Sequence, residues 1–211
     1  MTGPIYAIAD AAALRPTPLP EAVALMAECG IRCIQVRGKE LSGRAWHDVL
    51  EGCVRVLAGS GVELWVDDRA DVAALFPVQG LHLGQADLPP EAARRVVGAG
   101  VRLGLSTHGE EQLAAADADP EVDVIAVGPV FATTGKARPD PVVGLSFISR
   151  ARARTAKRLV AIGGIDAGNV AEVLAAGADA AAVLGAVCRG DVRANCRRLL
   201  AAAGLSPCAS S

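Results

Sequence analysis

The chain has 211 residues, 52% hydrophobic and 21% charged, with a formal net charge of -2. That length suits one α/β core, the apolar share excludes disorder, and near-neutrality gives no general electrostatic reason to bind nucleic acid. No run reaches the roughly eighteen apolar residues of a membrane span and no basic segment leads a long apolar one, so a cytoplasmic protein is expected.

In chain order, IYAIAD reads as a strand, RPTPLP as a loop, and residues 20–30 as a helix with Pro in its first turn and Gly at its end. IRCIQVR is a second strand, with a helix over residues 44–59. ELWV and GLHLG are too short for helices and are bounded by turn residues, so they read as buried strands with ADVAALF crossing between them. A helix follows Pro90, and VRLGLS is the fifth strand. Thr107 with Glu110 has the capping-box spacing and is expected to open the next helix. DVIAVGPV is the sixth strand, and an unusually long loop, residues 129–143, precedes a helix beginning near Leu145. RLVAIGG, a helix over residues 167–176, ADAAAVLG and a helix over residues 192–203 complete the chain. Eight strands alternating with eight helices is the count that closes a (β/α)8 TIM barrel, here one domain over residues 1–211. An open parallel sheet is the alternative that periodicity leaves standing.

In a barrel of parallel strands, the residues ending each strand share one mouth. Asp68 and Asp87 end two adjacent strands there. Each alone fits a helix cap, but as a pair they suit Mg²⁺, which takes one or two carboxylates plus substrate phosphates. Asp67, Arg69 and Asp71 are expected to support that pair or to form surface ion pairs. Gln35, Arg37 and Lys39 alternate, roughly 6.7 Å apart in successive pairs while the strand lasts, and two of them suit a diphosphate. The other reading ends the strand at Val36 and leaves the charges in solvent. Ser106 and His108 bring a hydroxyl and an imidazole to the same mouth, or serve only as turn residues. His82, within a strand, reads as a hydrogen-bonded core histidine.

Thr133, Thr134 and Lys136 sit in the long loop, able to cover an anion unless the loop is plain solvated surface. Gly163, Gly164 and Gly185 end strands seven and eight, where barrels commonly hold a phosphate on backbone N–H groups. The basic run over residues 150–158 reads as a solvated helix face. The six cysteines form no Cys-x-x-Cys pair and lack histidines at zinc spacing, so they read as mostly reduced core thiols.

These segments resemble the thiamine phosphate synthase family over nearly the whole chain. QVRGK resembles that family's Gln-x-Arg-x-Lys segment, DDRAD its Asn-Asp-Arg-x-Asp, HLGQADLP its His-x-Gly-Gln-x-Asp-Leu-Pro and GLSTH its Ser-x-His turn, with VGPVFATTGK, AIGGI and ADAAAVLGAV following in order. The resemblance implies a transferase in which hydroxymethylpyrimidine diphosphate loses its diphosphate with Mg²⁺ assistance and the nitrogen of hydroxyethylthiazole phosphate captures the pyrimidine cation. It further implies that Gln35, Arg37, Lys39, Ser106 and Lys136 hold the diphosphate, that Asp68 and Asp87 hold Mg²⁺, and that Thr133, Gly164, Leu184 and Gly185 hold the thiazole phosphate. Among these, Lys136, Ser106 and Arg37 are the expected catalytic groups, with Asp67 and His108 also expected at the substrates.

Three positions depart from the family pattern: Asp67 stands for Asn, Gly135 for a hydroxyl residue, and Gly185 for Ser. The sister family of thiazole tautomerases lacks the paired aspartates, which separates it from this chain. A non-catalytic barrel that binds a thiamine precursor is the third reading. The partners implied are two small molecules, without nucleic acid or membrane, and a homo-oligomer stays open.

Overall fold

The computed structural model describes residues 2–133 and 140–205. Eight parallel strands close in sequence order: β1 (Ile5–Asp10), β2 (Cys33–Arg37), β3 (Glu63–Asp67), β4 (Gly80–Leu83), β5 (Arg102–Thr107), β6 (Val124–Val127), β7 (Arg158–Ile162) and β8 (Ala180–Val183). Closure is made where β1 pairs with β8, Ile5 opposite Ala181 and Ala7 opposite Val183, which removes the open sheet. The helices are α1 (Leu19–Glu28), α2 (Gly43–Leu57), α3 (Ala70–Ala73), α4 (Pro90–Val97), α5 (Glu110–Ala118), α6 (Leu145–Arg154), α7 (Val170–Ala175), α8 (Gly185–Cys188) and α9 (Val192–Ala202).

Because strand side chains alternate, the buried apolar residues separate into two clusters. Ala7, Ala9, Ile34, Val36, Leu64 and Val66 face outward and pack under the helices. Tyr6, Ile8, Cys33, Trp65, Val124, Ala126, Val160, Ala180 and Ala182 fill the lumen. Trp65 is fully buried there and needs the glycine opposite it, since a Cβ on Gly80 would lie 2.3 Å from its ring. Below it, Arg102 covers the ring at 5.4 Å and pairs with Glu63 at 2.7 Å. The N-terminal end of the lumen is therefore packed shut, and the other end stays open.

Several local expectations are corrected. Thr107 does not cap α5: it remains in β5, its hydroxyl donating to the Ala126 carbonyl at 3.0 Å, and the helix starts after an extended Gly109. β7 and β8 stop short of their glycines. Gly163 and Gly164 turn into positive φ, while Gly185 opens α8, a four-residue helix that its apolar sequence did not reveal. The basic run is a solvated face at Arg150 and Arg154, which are exposed, but Arg152 and Lys157 are fastenings. Arg152 donates to the carbonyls of Thr155 and Lys157 and pairs with Asp179 at 2.8 Å, and Lys157 donates to the carbonyls of Ala116 and Asp119. The five described cysteines are buried free thiols, and Cys208 lies outside the described residues. Burial pushes the Cys53 and Cys196 thiols up to about 12, so they stay protonated. Among the described residues no helix is long and apolar enough to cross a membrane.

Candidate active site

The open end of the barrel holds a cavity of about 880 Å³. Gln35, Arg37, Lys39, Asp67, Asp68, Asp87, Ser106, His108, Thr133, Gly164, Leu184 and Gly185 all border it. Lys136, with Thr134 and Gly135, lies outside the described residues.

The charged side is built by β1 to β4. Arg37 ends β2 opposite Asp10 of β1, and its guanidinium is held between two carboxylates: Nη1 contacts Asp10, and Nε lies 3.3 Å from Asp67. Asp10 is itself fixed by the backbone N–H groups of Ala12 and Ala13 at 3.1 and 2.9 Å. Sequence reasoning missed Asp10, although its place at the end of β1 matches that of Arg37 at the end of β2. The strand does reach Arg37, so only Lys39 of the alternating trio lies beyond it. Gln35 sits one pleat deeper, buried, and donates to the Tyr6 hydroxyl at 2.9 Å.

Asp68 and Asp87 cap no helix. The turn after β4 folds Asp87 back so that its Oδ2 accepts the Gly84 N–H at 2.7 Å, while Pro89 takes the N-cap of α4 without a side-chain bond. Asp68 is, among the described residues, the non-glycine residue with positive φ, 59°. That conformation costs about 1–2 kcal/mol, and Asp tolerates it better than most. It brings the carboxylate onto the Lys39 ammonium.

The electrostatics are those of carboxylates crowded without enough positive charge. Burial, then the Asp68 charge, raises Asp67 to about 7 against the opposing pull of Lys39 and Arg37. Burial, then a hydrogen bond with the Asp68 side chain, raises Asp87. Burial alone would lower Lys39, but its bond to Asp68 and the nearby Asp67 and Asp87 charges hold it above its usual value. Around the cavity, among the described residues, five aspartates (67, 68, 87, 140 and 166) face three basic side chains, Arg37, Lys39 and Arg189. No group of three or more His, Cys, Asp or Glu among the described residues forms a complete metal cage. Two convergent carboxylates in a negatively charged cavity are nevertheless the donor set that fits Mg²⁺, which completes its shell with water and substrate oxygens.

At β4 and β5 a neutral pair faces the cavity. His82 Nε2 lies 2.9 Å from Ser106 Oγ, and burial lowers the imidazole to about 4. His82 is thus hydrogen-bonded as expected, yet it borders the cavity instead of being sealed in the core. Its Nδ1 has no partner, and a Cβ on Gly104 would come within 2.4 Å of that nitrogen. His108 is turned to the long loop: Nδ1 lies 2.7 Å from the Gly128 carbonyl and Nε2 3.5 Å from Asp140.

The β6 to β8 side is made of backbone. Val130 N–H donates to the Ile162 carbonyl and Phe131 N–H to that of Gly163, at 2.9 and 3.0 Å, tying the start of the long loop to the turn after β7. That turn requires glycine, since φ is +103° at Gly163 and +66° at Gly164, and a Cβ at either would lie within 2.6 Å of the loop.

A family model described as Thiamine monophosphate synthase matches residues 5–187. A thiamine-phosphate synthase of Koribacter versatilis is 43% identical over 184 residues, covering 85% of this chain and 86% of its own. One from Methanoculleus marisnigri is 40% identical over 199 residues, covering 92% of each. Among solved structures, a thiamine phosphate pyrophosphorylase from Pyrococcus furiosus superposes with a TM-score of 0.85 at 29% identity, over 95% of both chains.

Proposed function

The chain belongs to the thiamine monophosphate synthase family, and from that membership we propose that it joins hydroxymethylpyrimidine diphosphate to hydroxyethylthiazole phosphate, giving thiamine phosphate and diphosphate. The observation that carries this reading is the convergence on one cavity of a charged end at β1 to β4 and a glycine-rich end at β7 and β8. Two anionic substrates have two places to put their phosphates.

The carbon–oxygen bond to the diphosphate breaks with its electron pair on oxygen, and the thiazole nitrogen lone pair makes the new carbon–nitrogen bond. No proton has to move, so the site needs charge neutralisation rather than a general base. Asp68 and Asp87 would hold Mg²⁺, which would supply charge neutralisation for the leaving diphosphate. Arg37, fixed by Asp10 and Asp67, presents its remaining N–H groups to the same oxygens, with Lys39 beside it.

Ser106 adds a neutral donor. An unpaired N–H is costlier to bury than an unpaired nitrogen lone pair, so the partnerless Nδ1 of His82 is the unprotonated nitrogen and Nε2–H donates to Ser106. The serine hydrogen is then free to point at the diphosphate. The lumen side chains Ile8, Ala126, Val160, Ile162 and Ala182 make an apolar floor that keeps water from the pyrimidine cation. Lys136, outside the described residues, is proposed as a further cation over the leaving group.

The test is to mix both precursors with and without Mg²⁺ and follow diphosphate release and thiamine phosphate formation. Thiazole isomerisation without coupling would identify a tautomerase. Tight binding of a precursor without turnover would identify a binding protein.

A further inference from the structure

We propose that Asp10 is a positioning residue for the departure of the diphosphate: it touches no substrate and acts through Arg37, whose guanidinium it holds where the leaving group is met. This rests on the reaction assigned above.

The geometry gives the two residues different places. Arg37 borders the cavity and Asp10 does not. Asp10 stands behind it, with 7% of its side chain exposed against 23% for Arg37. The two oxygens of its carboxylate have separate duties. Oδ1 accepts the N–H groups of Ala12 and Ala13, which shapes the turn leaving β1, and Oδ2 contacts Nη1 of Arg37. That turn is anchored in its own right: the Leu14 N–H donates to the Asp10 carbonyl at 3.0 Å, and Leu14 is buried in the core. The same turn takes the backbone of Arg37, whose carbonyl accepts the Ala11 N–H at 2.8 Å. Two consecutive residues thus hold both the main chain and the side chain of Arg37.

Arg37 needs this hold because a second carboxylate competes for it. Asp67, next in the chain to Asp68, lies 3.3 Å from its Nε. Without Asp10 the guanidinium would be drawn onto Asp67, and its fork would be taken up by protein oxygens. With Asp10 present, Nη1 is committed to a buried acceptor that cannot move, and the remaining N–H groups keep a fixed direction. A long side chain already fixed in its pose loses no rotamer freedom when the diphosphate arrives. Misplacing such a group by about 1 Å can cost on the order of 100-fold in rate.

Asp10→Asn divides the two duties. Asparagine keeps an oxygen for the Ala12 and Ala13 N–H groups, and so keeps the turn, but it sets an amide that cannot accept against the guanidinium. Parent, Asp10→Asn, Arg37→Ala and the double variant are compared in thermal melts and steady-state kinetics. Asp10→Asn is expected to keep a near-parental Tm and the parental KM for the thiazole phosphate, while kcat falls about 10–100-fold. In the Arg37→Ala background the same substitution should change kcat by less than about twofold, since no guanidinium is left to position. The four proteins are also titrated calorimetrically with inorganic diphosphate in the presence of Mg²⁺, a readout that needs no turnover. Binding that is weaker in Asp10→Asn than in the parent, yet equal in Arg37→Ala and the double variant, supports the proposal. An equal loss in both backgrounds would make Asp10 a merely structural residue and overturn it, and so would a parental kcat in Asp10→Asn. Should the parent show no coupling at all, the assigned reaction fails separately, and the calorimetric cycle alone decides.

Discussion

At the scale of single residues, the site depends on groups held in states they would not choose in water. Asp87 is raised by burial and by the neighbouring Asp68 carboxylate, with Asp68 in a left-handed backbone conformation. Replacing either by Asn should relieve the crowding of like charges while removing a proposed metal ligand. Asp68→Asn and Asp87→Asn are therefore expected to keep or raise the metal-free Tm, to lose the rise in Tm that Mg²⁺ gives the parent, and to turn over at least ~100-fold more slowly. A variant retaining both the Mg²⁺ response and the rate would remove these residues from the metal site. Alternation at the end of β2 pointed to the cations but not to Asp10, because a lone aspartate ending a strand has no partner visible in one dimension.

His82 provides a pH test. Its folded value near 4 lies below the ordinary 6.5, so between those values the unfolded chain binds more protons and stability rises with pH. The contribution is fully present above about 6.5 and is lost as pH falls toward 4, at most about 3 kcal/mol for a shift of this size. In His82→Gln, which keeps a donor for Ser106 and cannot titrate, the Tm should fall less over that window than in the parent. His82→Leu, which removes the donor, should lower kcat/KM at every pH.

At the scale of elements, the strands were legible because short apolar runs stand between turn residues; the structure then shows the alternation, with Gln35 and Arg37 on β2, Trp65 and Asp67 on β3, and Gly80 and His82 on β4. Helix boundaries were less so. Thr107 carries the letters of a capping box, yet its pairing with β6 keeps it extended, a tertiary contact that overrides a local signal. Of the α6 arginines, Arg150 and Arg154 are exposed as expected and Arg152 misled, since charge on a helix reads as solvation until the neighbouring carbonyls are known. Arg152→Ala should therefore cost about 1–3 kcal/mol, from the ion pair with Asp179 and two carbonyl bonds, while the kinetic constants stay at parental values. Chemical denaturation and steady-state assay together check it. An unaltered midpoint would return this run to the solvated surface.

At the scale of the whole molecule, the two ends of the barrel do separate work. Chemistry-bearing residues lie at the strand C-termini, while Trp65, Arg102 and Glu63 seal the lumen toward the strand N-termini. Arg102→Ala takes one partner from the Glu63 carboxylate, which is already raised by burial. The Tm should fall with no change in KM for either substrate, and a kinetic effect as large as the stability effect would show the ends to be coupled. The count of alternating segments made the closed barrel readable, whereas α8 was not, because a four-residue apolar helix leaves no periodicity to detect.

Among the described residues, the aspartates around the cavity outnumber the basic side chains, and that balance is expected to work as a filter. Cells hold many stray phosphates, and a mouth lined only with cations would be clogged by them. Here an anion approaching the β1 to β4 side alone would meet repelling carboxylates, and a divalent ion entering with it would offset them. By reciprocity, whatever factor Mg²⁺ adds to the affinity for diphosphate, diphosphate adds to the affinity for Mg²⁺. Inhibition by inorganic diphosphate should accordingly strengthen as Mg²⁺ is raised and nearly vanish in its absence; inhibition equally strong without the ion would show that the rim does not screen.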